Sequence, residues 1–128
     1  MDDSINLNKT ILLADDDQFI LVAYKDGLTR AGYRVVAAQD GEEALNILKT
    51  LEPDLILLDL IMPKVNGFEV LQKVKSSDRL KDIPVIVLTN LSQDSDENEV
   101  RSFGVNDFLV KADVSLKDLL DRVKVLLA

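Results

Sequence analysis

The chain has 128 residues, 47% hydrophobic and 30% charged, with a formal net charge of −8. That composition fits one folded domain with a sizeable core and excludes a disordered chain. The acidic balance, with lysines and arginines scattered, disfavours direct binding to nucleic acid or to an anionic membrane surface. With no histidine and no cysteine, the chain has no His-based triad, no thiol nucleophile and no ordinary zinc site. Any metal must therefore be hard and oxygen-bound. No apolar run approaches the length of a membrane span. The acidic start Met1-Asp2-Asp3-Ser4 lacks the basic and apolar segments of a signal peptide. The cytoplasm is the expected compartment, which the lack of cysteine fits.

Residues 1–8 read as an N-terminal extension and 9–128 as one domain. Lys9–Ala14 reads as a strand ending in Asp15-Asp16-Asp17. Gln18–Ala31 reads as a helix, with Asp17 as N-cap, apolar Phe19, Ile20, Val22, Ala23 and Leu28, and Gly32 as its stop. Tyr33–Ala38 is a second strand. Asp40 caps a helix over Glu42–Leu51, with Ala44, Leu45, Ile47 and Leu48 on its buried side. After Pro53, Asp54–Leu58 is an unbroken apolar strand led by one acid, as suits a central parallel strand covered on both faces.

The loop Leu60–Gly67 holds the turn residues Pro63, Asn66 and Gly67. A third helix, Phe68–Ser76, turns Val70, Leu71 and Val74 inward. Pro84 precedes the strand Val85–Leu88. The acidic stretch Ser92–Glu99 opens a weaker fourth helix ending near Phe103-Gly104. Asp107–Val110 is the fifth strand. Ser115 and Asp118 form a capping box for a last helix running to about Leu127. This alternation implies an α/β domain: a parallel sheet with helices on both faces.

Three separated features converge in such a fold. The triplet Asp15-Asp16-Asp17, the lone Asp59 and Lys111 each fall where an apolar run stops. In an open parallel sheet the C-terminal strand ends share one edge, and ligand sites lie along it. Carboxylates and one ammonium gathered there would make a small divalent-cation and phosphoryl site. The ordinary explanations are that Asp15–Asp17 merely cap a helix, that Asp59 starts a turn and that Lys111 is solvated. We accept the first of these for Asp17 alone.

In order and at suitable separations, five segments carry a family pattern: Ile11–Asp16, Pro53–Pro63 (PDLILLDLIMP), Asn66-Gly67-Phe68, Ile83–Thr89 (IPVIVLT) and Gly104–Lys111 (GVNDFLVK). Together they resemble the receiver domain of two-component response regulators, over roughly Lys9 to Leu127. The resemblance implies a flavodoxin-like (βα)5 fold with strand order 2-1-3-4-5, an order whose worked example includes a member of this family. It also implies that Asp59 is the phosphoacceptor, and that Asp16 and Asp59 bind Mg²⁺ directly with the Ile61 backbone carbonyl, Asp15 acting through water. Lys111 would pair with Asp59 at rest and with a phosphoryl oxygen afterwards. Backbone N–H groups near Leu60 and Asn90, with the Thr89 hydroxyl, would bind phosphoryl oxygens. Thr89 and Phe108 would then be the switch pair that rearranges the surface of the fourth helix, fifth strand and last helix.

Without histidine the chain cannot carry its own phosphohistidine. The implied partners are therefore a histidine kinase or histidine phosphotransfer protein, and a downstream protein or output domain. Phosphorylation-dependent pairing of two copies is a further implication, and Asp107 and Arg122 sit where some receivers form ion pairs between subunits. The chain departs from the pattern twice. Ala112 replaces the usual proline after the lysine, so the bond is expected to be trans. Asn90 stands where a smaller residue is usual.

Three other functions compete. An aspartate-nucleophile phosphatase would carry a second acid two residues after the nucleophile, where this chain has Ile61. A flavin- or nucleotide-binding module needs phosphate-cradling loops with little negative charge, unlike Asp15–Asp17. A phosphate-independent interaction domain would have no need of the acids, Thr89 and Lys111 together.

Overall fold

The computed structural model describes residues 9–91 and 94–128, the side chain of Asp94 excepted. The extension over 1–8 and the expected helix start at Ser92 lie outside the described residues. Five strands and five helices alternate: β1 (Thr10–Ala14), α1 (Gln18–Arg30), β2 (Arg34–Ala38), α2 (Gly41–Leu48), β3 (Leu55–Leu58), α3 (Gly67–Lys75), β4 (Val85–Thr89), α4 (Asp94–Ser102), β5 (Asp107–Val110) and α5 (Leu116–Leu127). All strand pairs are parallel, in the order β2-β1-β3-β4-β5. Both the fold and the strand order are those expected from the sequence.

The central strands are apolar on both faces because both faces are covered. Along β1, Ile11 and Leu13 join one cluster with Leu21, Tyr24 and Leu28 of α1 and Leu119 and Val123 of α5. Leu12 and Ala14, pointing the other way, join Ala44 and Leu48 of α2, Val70, Leu71 and Val74 of α3, and Val100 of α4. Strand β3 splits likewise, Leu55 and Leu57 to the first cluster and Ile56 and Leu58 to the second. This is the period-two alternation of strand side chains. Each fully buried Leu or Ile stabilises the fold by about 1.5–3 kcal/mol relative to exposure.

Caps set where the helices begin. Asp17 accepts hydrogen bonds from the Phe19 and Ile20 backbone N–H groups, at 2.9 and 3.3 Å. Asp40 accepts from Glu43 N–H at 2.7 Å, and Asn66 from Glu69 N–H at 3.0 Å. Ser115 and Asp118 form the expected reciprocal capping box. The chain leaves α1 through Gly32 at φ 103°, the left-handed conformation that glycine adopts without penalty.

One helix face is settled by the structure and one helix end is corrected. The apolar residues named on the first helix do not all face inward. Its buried stripe is Leu21, Tyr24, Gly27 and Leu28, while Phe19 and Val22 are 89% and 69% exposed. The 3.6-residue period places 21, 24 and 28 together and turns 19 and 22 outward. The second helix stops at Leu48 rather than Leu51. The N–H groups of Thr50 and Leu51 both bond to Ile47 C=O, and Arg79 donates to the Leu48 and Leu51 carbonyls. Those bonds close the helix end from outside.

Candidate metal and phosphoryl site

Register brings the site together. Ala14 lies level with Leu58, so the next residues, Asp15 and Asp59, emerge side by side at the C-terminal edge. Val110 lies level with Thr89, so Lys111 emerges beside the end of β4. The backbone continues the ladder one step further: Asp15 N–H bonds to Ala38 C=O and Asp59 N–H to Ala14 C=O, both at 3.0 Å. Two acids that belong to different strands are thus fixed by main-chain bonds before their side chains make any contact.

The carboxylates and the ammonium then interlock. Lys111 Nζ lies 2.6 Å from Asp15 Oδ2 and 3.0 Å from Asp59 Oδ2, and the side chains of all three are 11% exposed or less. Asp15 Oδ1 accepts from Asp17 N–H at 2.9 Å, and Asp59 Oδ1 from Ile61 N–H at 3.3 Å. Burial pushes the Asp15 carboxyl above its ordinary range, and the hydrogen bond from Lys111 opposes that rise. Burial also pulls the Lys111 ammonium down, but its bonds and charge pairing with Asp15 and Asp59 outweigh it, and the net shift is upward. An ammonium shared by two buried carboxylates stays charged because neither acid has water enough to screen it.

Asp16 is exposed beside this pair. One carboxylate oxygen from each of Asp15, Asp16 and Asp59 lies within 4.8 Å of the others. Such a set of hard oxygen donors fits a small divalent cation and no soft one. Thr89 is fully buried, and its Oγ1 accepts from Leu91 N–H at 3.3 Å. Phe108 is 7% exposed and packs in the cluster beneath α2, α3 and α4. Leu60 is buried, with its carbonyl bound by Gly67 N–H at 2.9 Å, and Asn90 is exposed. The Ile61 side chain is 55% exposed.

Three features were not read from the sequence. The closer partner of Lys111 is Asp15 rather than Asp59. Tyr24, 8% exposed, lies near enough for the charges of Lys111 and Asp15 to act on its hydroxyl, which burial pushes up; its spacing with Leu21 and Leu28 was the available signal. Gly67 has no side chain because a Cβ there would sit 2.1 Å from the Asp59 carbonyl oxygen and 2.6 Å from Leu60 Cα. The expected trans bond to Ala112 holds, since the described residues contain no cis peptide, and Lys111–Asp113 forms a single 3-10 turn. Asp107 and Arg122 pair within the chain, at 2.5 Å.

A doubly wound parallel sheet carrying three carboxylates and a lysine at one edge defines an aspartate-centred phosphoryl-acceptor class. The sequence matches the family model of the response regulator receiver domain over residues 11–124, and the chain belongs to that family. The DNA-binding dual master transcriptional regulator RpaA of Synechocystis is 41% identical over 117 residues, 91% of this chain and 48% of that protein. The polar-differentiation response regulator DivK of Brucella anthropi is 30% identical over 116 residues, 91% of this chain and 94% of that protein. The receiver domain of the Francisella response regulator 1452 superposes with a TM-score of 0.85 at 32% identity, covering 94% of this chain and 97% of that one. This chain spans about half the length of RpaA and of the Bacillus subtilis regulator PhoP. Its acidic cluster fits a phosphoacceptor aspartate with bound Mg²⁺.

In metal-free protein, Lys111→Gln is expected to lower stability by about 3 kcal/mol near neutral pH by leaving buried carboxylates unpaired. Because the folded-state value of Lys111 is raised above 10.5, its contribution is complete below that pH and is lost as pH rises through the folded-state value. Urea denaturation across the alkaline range should therefore show the gap between the two proteins closing. A gap that stays constant would remove the ion pairs as its cause.

Proposed function

We propose that the chain is the phosphoacceptor module of a two-component phosphorelay and takes a phosphoryl group onto Asp59 from a phosphohistidine on a separate kinase or phosphotransfer protein. The observation that carries this reading is the placement of Asp59: buried, beside a second carboxylate, with its Oδ2 already held by Lys111. In the transfer, an Asp59 carboxylate oxygen forms a bond to phosphorus while the bond from phosphorus to the donor's imidazole nitrogen breaks. The nitrogen keeps the electron pair, and because the other nitrogen of the donor's ring already carries a proton, the ring leaves as neutral imidazole. In-line transfer of this kind needs positioning and charge neutralisation more than acid–base catalysis.

Asp16 and Asp59, with the Ile61 carbonyl, would hold Mg²⁺, and Asp15 would act through water; the ion supplies neutralisation of the negative phosphoryl oxygens. Lys111 neutralises a further oxygen by leaving Asp59 for it, keeping Asp15 as its anchor. Thr89 turns its hydroxyl from Leu91 N–H to the phosphoryl group, and the N–H groups of Leu60 and Asn90 donate to the remaining oxygens. Phe108 takes up the space beside Thr89. The surface of α4, β5 and α5 then changes. Among described side chains of α4 only Val100 is buried, which supports a helix that shifts at low cost.

The product is suited to signalling rather than turnover. Two residues after Asp59 stands exposed, apolar Ile61, which offers no base to a hydrolytic water. Phe19 and Val22, exposed on the first turns of α1, border the acidic edge and give a phosphohistidine donor an apolar landing surface. The response passes to a downstream protein, to an output domain, or to a second copy if Asp107 and Arg122 exchange their mutual pair for one across two subunits. A net charge of −8 leaves contact with nucleic acid to such a partner or domain, and the cytoplasm is the proposed compartment.

Incubation with acetyl phosphate and Mg²⁺ is expected to add the mass of one phosphoryl group to the protein and none to Asp59→Asn. Equal gain in both would place the reaction elsewhere. Thr89→Ala should keep the mass gain but lose the accompanying change in the Phe108 amide resonance; an undiminished change would refute the coupling. Phe19→Glu should slow transfer from a phosphohistidine protein about ten-fold, the equivalent of 1.4 kcal/mol, while leaving acetyl phosphate kinetics unaltered. Equal slowing with both donors would exclude a docking role.

A further inference from the structure

Helix α2 contributes no residue to the cluster of Asp15, Asp16 and Asp59, yet the loop that follows Asp59 is seated on its first turn. Gly41 opens α2 and is buried. A Cβ at this position would lie 1.7 Å from the Val65 carbonyl oxygen, 2.5 Å from its carbonyl carbon and 2.8 Å from its Cβ. Two of those three atoms are backbone, so no rotation of a side chain relieves the overlap. Immediately before Val65, Lys64 holds φ at 68°, the left-handed region that a residue with a side chain occupies only when its surroundings hold it there. Its ammonium reaches across Gly41 to both neighbours, 3.7 Å from Asp40 Oδ2 and 3.9 Å from Glu42 Oε1. Strained backbone, a paired cation and a glycine-width gap thus coincide at one contact.

The far end of the same loop is equally constrained. Gly67 N–H bonds to Leu60 C=O at 2.9 Å, and a Cβ on Gly67 would overlap the Asp59 carbonyl oxygen. Residues 60–67 therefore run from the proposed phosphoacceptor and the Ile61 carbonyl to a seat on α2. A displacement at Val65 has little slack in which to dissipate before it reaches Ile61.

We propose that Gly41 is a positioning residue for the phosphoryl and cation site, acting through Val65 to hold the Asp59–Ile61 segment at the geometry that binds a divalent cation. The inference rests on the reading of Asp59 and Ile61 given above. It assigns a site role to a residue outside the carboxylate cluster of Asp15, Asp16 and Asp59. An added methyl group at Gly41 moves the loop, the Ile61 carbonyl turns away from Asp16 and Asp59, and cation affinity falls while the sheet and its two cores persist.

The test is calorimetric titration of Mg²⁺ into the full chain, with backbone amide resonances of the metal-free protein as a second readout. Gly41→Ala should weaken Mg²⁺ about ten-fold, within the range for residues that orient metal ligands, and shift the Asp59 and Ile61 amides before any metal is added. Gly27→Ala is the control: it is the same change in another helix, and its Cβ meets only the flexible end of Leu116, at 2.8 Å. It should alter neither readout. Equal Mg²⁺ affinity in folded Gly41→Ala and unaltered protein, with unmoved Asp59 and Ile61 amides, overturns the proposal alone. Failure of the unaltered protein to bind Mg²⁺ at Asp59 overturns the underlying reading as well. Should Gly41→Ala not fold, Lys64→Ala decides the matter, since it cuts the tie to Asp40 and Glu42 and leaves every glycine in place. Hydrogen exchange at Gly67 N–H should then quicken while that of Leu119 N–H, in α5, does not; unchanged exchange at Gly67 counts against the proposal.

Discussion

One ammonium shared by two buried carboxylates is the interaction on which the rest of the molecule turns. Asp15 and Asp59 stand on adjacent strand ends with little water around them. Like charges so placed repel strongly in a medium of reduced dielectric, and burial alone favours a proton on one of them. Lys111 resolves this by lying within salt-bridge distance of both. The cost of desolvating three charges is offset only because β1, β3 and β5 deliver them in register, so the geometry of the sheet and the electrostatics of the edge depend on each other. The same arrangement leaves Asp16 outside, exposed to solvent and within reach of a cation.

The two faces of the sheet divide structural labour. The face under α1 and α5 is closed by long apolar side chains and by the close approach of Gly27 to Leu116. The opposite face carries α2, α3 and α4, and of these α4 is held least. α2 and α3 each bury several residues, whereas Val100 is the buried anchor among the described side chains of α4. Phe108 packs in the same cluster as Val100 of α4, and Thr89 ends β4; both are buried. The least secured helix thus packs over the cluster that holds Phe108.

Much of the fold was legible in the chain. Apolar runs at Ile11–Ala14, Leu55–Leu58 and Val85–Leu88 are continuous because both faces of a central parallel strand are covered, and that signal does not depend on loop detail. Caps at Asp17, Asp40 and Ser115 were readable because capping is a short-range hydrogen bond between near neighbours. The outward placement of Phe19 and Val22 was not read along the chain, because hydrophobicity by itself does not say which arc of a helix is covered. The early end of α2 was missed because Arg79, thirty-one residues beyond Leu48 in sequence, supplies the terminating contacts.

Residue type and order, set against a recognisable family pattern, determined which side chains meet at the edge: Asp15, Asp16, Asp59, Thr89 and Lys111 all lie next to strand ends, and strand ends in a parallel sheet share one side. What only the tertiary structure decided is how they meet. Lys111 leans closer to Asp15 than to Asp59, Asp107 satisfies Arg122 within its own chain, and Gly67 and Gly41 are narrow because backbone from elsewhere passes through the space a side chain would fill. Periodicity and capping act over a few residues and can be read along the chain. Distances between groups tens of residues apart depend on strand register, loop path and packing together, and exist only once the chain has closed on itself.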